Sequence, residues 1–405
     1  MPITVPAVRR GTVVVPQSVP PNYVAVRASL ETYTFDTTED FFSADIAPNL
    51  GTNIFSGSLQ VHPKFAGMHY HRSVPTVRHS IARNLDCVGC SWSDVARARG
   101  TYDWAALDAF VATAAAASRD IVYCFASTPT WASARPNEAG HYVRGGLAEP
   151  ARTEDIADFA AAVCERYKNL GTPITAFEIW NEPKFERGGG VAQGNYFTGT
   201  AAALAAMARV LYRRIKAIDA SALVLSPAPT GLEFNWNRGD ASGTDHLNSF
   251  LGASDGAGSM GGTGGTGRDW VDAIAFHAYS HNGYNNLYAI PMMLANVRQC
   301  MANHALDGRP IWITEVSAIT PVLASFSVAR QQTYIARTLL LALGAGAERV
   351  IWYAWDDKLG FDKQPAVAAE WDRLVAALAG ARLSLVNSLR NKQVAAVVDG
   401  VRWLV

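Results

Sequence analysis

From about Phe65 to Ala379 the chain alternates short apolar runs with Ala-rich stretches of helical period. Eight runs read as strands: 65–71, 81–87, 120–126, 174–180, 223–228, 272–278, 310–315 and 349–355. Apolar runs of this kind, with little polar alternation, mark parallel strands covered on both faces. The stretches between them repeat apolar residues three and four apart. In one, Thr153 is placed as an N-cap and Glu154 and Asp155 lie against the positive helix end. Ile156, Phe159, Val163 and Tyr167 then follow at helical spacing until Gly171 stops the run. Similar helices are predicted over 200–218, 290–304, 329–343 and 366–379. Eight βα units predict an α/β protein of the (β/α)8 TIM-barrel class, whose active sites sit at the carboxyl ends of the strands.

The two ends read differently. Residues 1–60 are rich in Val, Thr and Pro, with strand-like runs at 11–15 and 23–30. At the other end, 394–398 and 401–405 flank Asp399-Gly400, a strong two-residue hairpin signal. The predicted organisation is an N-terminal β-rich segment (1–60), a catalytic barrel (61–380) and a C-terminal hairpin (381–405), the two ends joining in a small β accessory layer. The Gly-rich stretch 252–267 contains Gly262-x-Gly264-x-x-Gly267. It reads as a loop, because a dinucleotide fingerprint needs a strand before the glycines and here the strand follows.

Composition narrows the partners. Hydrophobic residues make up 49% and charged residues 17%, with 35 basic and 35 acidic side chains. Nucleic acid and anionic membranes want a basic surface, so a neutral partner such as carbohydrate fits better. No run reaches the ~20 apolar residues of a membrane span, and the first residues lack the ~7–15-residue apolar core of a secretory signal. An extracellular or surface-associated location therefore rests on substrate class alone. The five cysteines, Cys87, Cys90, Cys124, Cys164 and Cys300, form no disulfide framework. Cys87-x-x-Cys90 reads as two small residues lining a barrel strand; a redox pair or half of a zinc site is the alternative.

The candidate chemistry lies where two apolar runs break. Trp180-Asn181-Glu182-Pro183 ends the fourth strand and Ile313-Thr314-Glu315 the seventh. Glycoside cleavage needs two carboxyls, one to donate a proton and one to attack or support the anomeric carbon. Strands four and seven face each other across an eight-membered ring. Glu178 shares the side of Glu182 by strand alternation and is read as buried support.

With these motifs, and with Gly100-Thr101-Tyr102-Asp103-Trp104 after strand two, the chain resembles the clan of barrel glycoside hydrolases whose acid/base follows Asn at the end of strand four. It looks most like glycoside hydrolase family 39, which includes β-xylosidases, α-L-iduronidases and bacterial exopolysaccharide hydrolases. The resemblance covers roughly residues 62–380, and the C-terminal region is short beside the family's xylosidases. It implies retention, with Glu315 as nucleophile and Glu182 as acid/base, their carboxyls about 5–5.5 Å apart. It also implies that Asn181 bonds the sugar 2-hydroxyl, that His277 contacts substrate and that Tyr279 bonds the nucleophile. Arg83 is placed to keep the nucleophile ionised, although its local register departs from the family's by one inserted residue.

His69 and His71, with Arg72, end strand one. A sugar subsite is the expectation, with structural and metal roles as alternatives. Of Trp131, Trp352 and Trp355, one or two are expected to floor the sugar subsite and the other to pack. The reading is a retaining glycosidase without metal or organic cofactor. It is expected to cut β-linked polysaccharide or oligosaccharide internally, with bacterial exopolysaccharide as the leading substrate class. An exo-acting β-xylosidase-like enzyme, and a non-catalytic sugar-binding barrel of a surface or phage assembly, are the rivals.

Overall fold

The computed structural model describes residues 58–185, 194–232, 242–257, 264–279, 289–317, 326–358, 360–386 and 395–404. The N-terminal runs at 11–15 and 23–30, and Gly262, lie outside the described residues. Each predicted barrel run contains a strand: β1 (Ala66–His69), β2 (Ile81–Arg83), β3 (Asp120–Cys124), β4 (Ala176–Glu178), β5 (Leu223–Leu225), β6 (Ile274–His277), β7 (Ile311–Val316) and β8 (Arg349–Trp352). They form one parallel sheet in the order β5-β4-β3-β2-β1-β8-β7-β6. A parallel bridge from Leu225 to Ala273 joins the two ends, so the sheet curls into a barrel.

Strand alternation divides the side chains. Ile81, Val122, Ala176, Leu225, Ala275, Trp312 and Ile351 fill the lower barrel interior. Their neighbours Ala82, Tyr123, Phe177, Val224, Phe276, Ile313 and Val350 face out into the main core, which the helices cover. Gly67 is required inside: a Cβ there would stand 2.7 Å from Ile351 Cγ1.

The helices over 153–169, 201–218, 289–303, 328–344 and 365–378 lie where predicted. Two details are corrected. Thr153 is the first helical residue rather than the cap, and extended Arg152 takes the cap position without a side-chain bond. The β1–β2 connection, 70–80, carries no helix. It contains Pro75 and is covered by the last helix instead, whose Trp371 Nε1 donates to the Arg78 carbonyl at 2.7 Å. A further correction concerns the end of β2. The ladder stops at Arg83, and Asp86 (φ 60°) and Gly89 (φ 82°) turn the backbone through the left-handed region. Cys87 and Cys90 therefore sit in a turn beyond the strand and do not line it.

Residues 59–60, 382–386, 395–398 and 401–404 form a separate antiparallel four-stranded sheet in that order. Asp399 (φ 48°) and Gly400 (φ 82°) make the tight hairpin their sequence predicts. Among the described residues, no helix is long and apolar enough to cross a membrane.

Candidate active site

At the carboxyl ends of the strands the inward positions turn polar. His69, Arg83, Glu178, His277 and Thr314 are all fully buried there. One irregularity decides what joins them. Along β7, Ile313 pairs with Phe276 but Glu315 pairs with His277, so two residues of β7 stand opposite one step of β6. A bulge of this kind re-aims side chains. It brings the consecutive Thr314 and Glu315 to the same interior: Thr314 Oγ1 donates to Glu178 Oε1 at 2.7 Å, and Glu315 Oε1 accepts from Arg83 Nη1 at 2.6 Å.

Arg83 is the hub. Its Nε donates to Glu178 Oε2 at 2.8 Å and its Nη2 to Asn181 Oδ1 at 3.0 Å, besides the bond to Glu315. Tyr279 donates to the other Glu315 oxygen at 3.0 Å. Glu182 arrives from the end of β4 with a left-handed backbone (φ 38°), its amide held by the Ala228 carbonyl at 3.0 Å. His277 Nδ1 lies 2.7 Å from Glu182 Oε1 and 3.5 Å from Glu315 Oε2. Ligand-type atoms of Glu182, His277 and Glu315 all fall within 4.8 Å of one another. The structure thus brings Glu182, Glu315, Asn181, His277, Tyr279 and Arg83 into one cluster.

His69 and His71 form an adjoining wall with Asp86, again with ligand-type atoms within 4.8 Å. His69 is fully buried and both ring nitrogens lack a hydrogen-bond partner. His71 is engaged on both sides, by Tyr353 Oη at 3.1 Å and Asp356 at 3.4 Å. Asp86 accepts from the Tyr142 and Tyr353 hydroxyls.

Asp86, Tyr142 and Tyr353 were not anticipated. Alternation along β8 was the available signal for Tyr353, since Trp352 and Tyr353 must face opposite ways. Asp86 and Tyr142 come from loops, where no periodicity exists to read. The tryptophans divide. Trp352 points outward, packed on Phe361, Trp371 and Tyr334, so it belongs to the core and not to a sugar subsite. Trp131 is held away from the carboxylate cluster: its Nε1 donates to the Ala96 carbonyl at 2.8 Å, and it lines a separate recess with Trp92, Arg99 and Asp155. Trp355 is buried beside the exit of β1, with its amide on the His69 carbonyl and its Nε1 on Ser73 Oγ.

The electrostatics follow from burial and shared charge. Burial pushes the Glu315 carboxyl up, and Glu182 and Asp86 add to this; His277 and Arg83 pull the other way without cancelling it. Burial also pushes Glu182 up, but the bond and charge of His277, with Lys184 and Arg83, bring it below the ordinary range. Burial disfavours the His277 cation, yet Glu315 and Glu182 together hold its proton more firmly than usual. The proton near Glu182 therefore belongs to the Glu182–His277 pair.

A bell-shaped pH profile is expected for kcat/KM. With Glu315 acting as an anion and the Glu182–His277 pair as proton donor, activity falls as pH drops through a value above the ordinary 4.5. It also needs the pair to keep its proton, so it falls again as pH rises through a value above 6.5. An acid limb at or below the ordinary glutamate value, or an alkaline limb below the ordinary histidine value, contradicts this account.

Both carboxylate–histidine groups have the residue types of a metal site. Glu315 is occupied by Arg83 and Tyr279, and His71 by Asp356 and Tyr353, while the His69 ring nitrogens have no hydrogen-bond partner. Arg83, His71 and His277 also disfavour positive charge at His69, which burial holds neutral well below its usual range. A chelator is expected to leave activity unchanged; loss on chelation with recovery on adding zinc contradicts this.

The sheet and its buried polar rim define the chain as a (β/α)8 barrel with two carboxylates paired at the carboxyl ends of its strands. Three solved structures of similar fold are glycoside hydrolases. One is a glucosidase from Croceicoccus marinus, 12% identical, with a TM-score of 0.54 over 84% of this chain and 75% of that one. A family 39 glycoside hydrolase from the gut symbiont Bacteroides cellulosilyticus WH2 is 17% identical, with a TM-score of 0.54 over 84% and 69%. A GH30 endoxylanase from Clostridium papyrosolvens C71 is 13% identical, with a TM-score of 0.52 over 84% and 80%. No protein-family model and no curated protein matches the sequence.

Proposed function

We propose that the protein is a retaining glycoside hydrolase with Glu315 as nucleophile and Glu182 as general acid/base. The observation that carries this is the approach of the two carboxylates, oxygens within 4.8 Å, around His277 at the rim of the barrel. Carboxyls this close leave no room for a water between them and the sugar, which favours direct attack. Glu315 has two fixed donors, from Arg83 and Tyr279, suited to an anionic nucleophile. Glu182 has the His277 Nδ1 proton at hand.

In the first step Glu315 attacks the anomeric carbon as the glycosidic bond breaks. The leaving oxygen takes the one proton that Glu182 and His277 share, which leaves Glu182 as a carboxylate and His277 neutral. In the second, Glu182 as a base removes a proton from water, whose oxygen displaces Glu315 and releases the sugar. The substrate is a β-linked polysaccharide or oligosaccharide, with a neutral unit in the glycone site. The balanced charge of the chain, 35 basic and 35 acidic side chains, favours a neutral sugar over a charged one. Bacterial exopolysaccharide cut internally is the favoured class, from the resemblance to family 39.

The test is product masses after incubation with a panel of bacterial exopolysaccharides and aryl glycosides. A ladder of oligosaccharides supports internal cutting. Release of a single monosaccharide replaces it with exo action of the β-xylosidase type, and absence of product on every substrate favours a sugar-binding barrel.

A further inference from the structure

The turn after β2 carries chemistry that the glycosidase reading does not use. Cys87 and Cys90 occupy its first and fourth positions, with the Cys90 amide donating to the Cys87 carbonyl at 3.1 Å. The ends of such a turn lie within about 7 Å, Cα to Cα, which overlaps the ~4.4–6.8 Å that a disulfide spans. Val88 at the tip is 61% exposed and Cys87 is half-buried, whereas Cys90, Cys124, Cys164 and Cys300 are buried. A small reagent thus reaches Cys87 first.

The turn is also built into the cleft wall. Asp86, next to Cys87, receives the Tyr142 and Tyr353 hydroxyls. The Val88 amide donates to the His71 carbonyl at 3.1 Å, and Tyr123 Oη donates to the Cys90 carbonyl at 3.0 Å. Gly89 packs on the helix over 105–116 so closely that a Cβ would stand 2.6 Å from Ala106 Cβ.

We propose that Cys87 and Cys90 form a redox-active dithiol that reacts with low-molecular-weight disulfides, and that its closure clamps the turn bearing Asp86 in the wall of the cleft. In the first step the Cys87 thiolate attacks one sulfur of the reagent disulfide. A mixed disulfide forms and one reagent thiol leaves. Cys90 then gives up its proton and attacks the Cys87 sulfur, expelling the second reagent thiol. The protein loses two hydrogens and two electrons, and one reagent disulfide becomes two thiols. The order of attack follows the local chemistry. The Cys90 thiol lowers the Cys87 thiol below its ordinary range, against the effect of burial, while that same interaction and burial push Cys90 up. The proposal does not depend on which sugar the protein cleaves, or on whether it cleaves any.

The experiment uses the full chain with oxidised glutathione as the probe, followed by intact mass, peptide mapping and amide hydrogen exchange. The expected result is loss of two hydrogen atoms, mapped to a Cys87–Cys90 link, with slowed exchange at the Cys87, Val88 and Cys90 amides. Cys90→Ser should instead retain one glutathionyl group on Cys87, and Cys87→Ser should take up none at Cys90. An unchanged mass in the wild-type chain, or a link mapped to other cysteines, overturns the dithiol. A Cys87–Cys90 link with unchanged exchange at those three amides overturns the clamp.

Discussion

Glu315→Ala is expected to lower turnover of an activated aryl glycoside by about 10⁴–10⁶-fold, the scale on which loss of a covalent nucleophile is felt. Loss of activity alone does not define a role, because Glu182→Ala should also be crippled, by about 10²–10⁴-fold. The configuration of the rescued product separates them. Removing the Glu315 carboxylate, which stands between Arg83 and Tyr279, opens space below the anomeric carbon. Azide or formate entering there attacks from the face the lost carboxylate occupied, opposite the leaving group, and returns an inverted product. Glu182→Ala keeps the nucleophile and loses the proton donor. Its deficit should shrink with acidic phenol leaving groups, its glycosyl-enzyme should accumulate, and azide should release that intermediate with retained configuration. NMR of the anomeric proton reads both cases. Swapped configurations mean swapped roles, and two variants with undiminished turnover place the chemistry elsewhere.

Arg83→Met should be the most damaging change to the fold at this site. It leaves Glu178, fully buried, without the cation that neutralises it, and removes a donor from Glu315. Breaking a buried ion pair from one side costs about 3–5 kcal/mol, whereas replacing both partners by apolar residues of similar volume is often nearly neutral. Urea unfolding of Arg83→Met should show the full loss, and the double variant Arg83→Met/Glu178→Met should recover most of it. Activity should not recover with stability. Without Arg83 the Glu315 carboxyl rises further, so the nucleophile is protonated over more of the pH range and the acid limb of kcat/KM moves to higher pH. A double variant that regains both stability and rate would show that Arg83 matters only to folding.

Local patterns alone located much of this molecule. A barrel strand is a buried apolar run, so all eight could be found without knowing their neighbours, and Asp399-Gly400 carries its own turn preference. The strand ends were legible too, because a carboxylate that interrupts such a run stands at the rim; this placed Glu182 and Glu315 on facing sides. Their surroundings were decided by contacts between distant segments. Thr314 and Glu315 are adjacent and should alternate, yet both face inward, because β7 bulges against β6. Asp86 and Tyr142 meet across the cleft from two irregular loops. Trp352 looked like a sugar platform by residue type, but strand direction turns it into the helix layer and presents Tyr353 instead. The β1–β2 connection forgoes a helix because the last helix of the chain covers that side of the sheet. A sequence records the propensity of each segment and the period of its apolar face. Which way a bulged strand aims a side chain, and which loop residues converge on it, is set only when the ring closes.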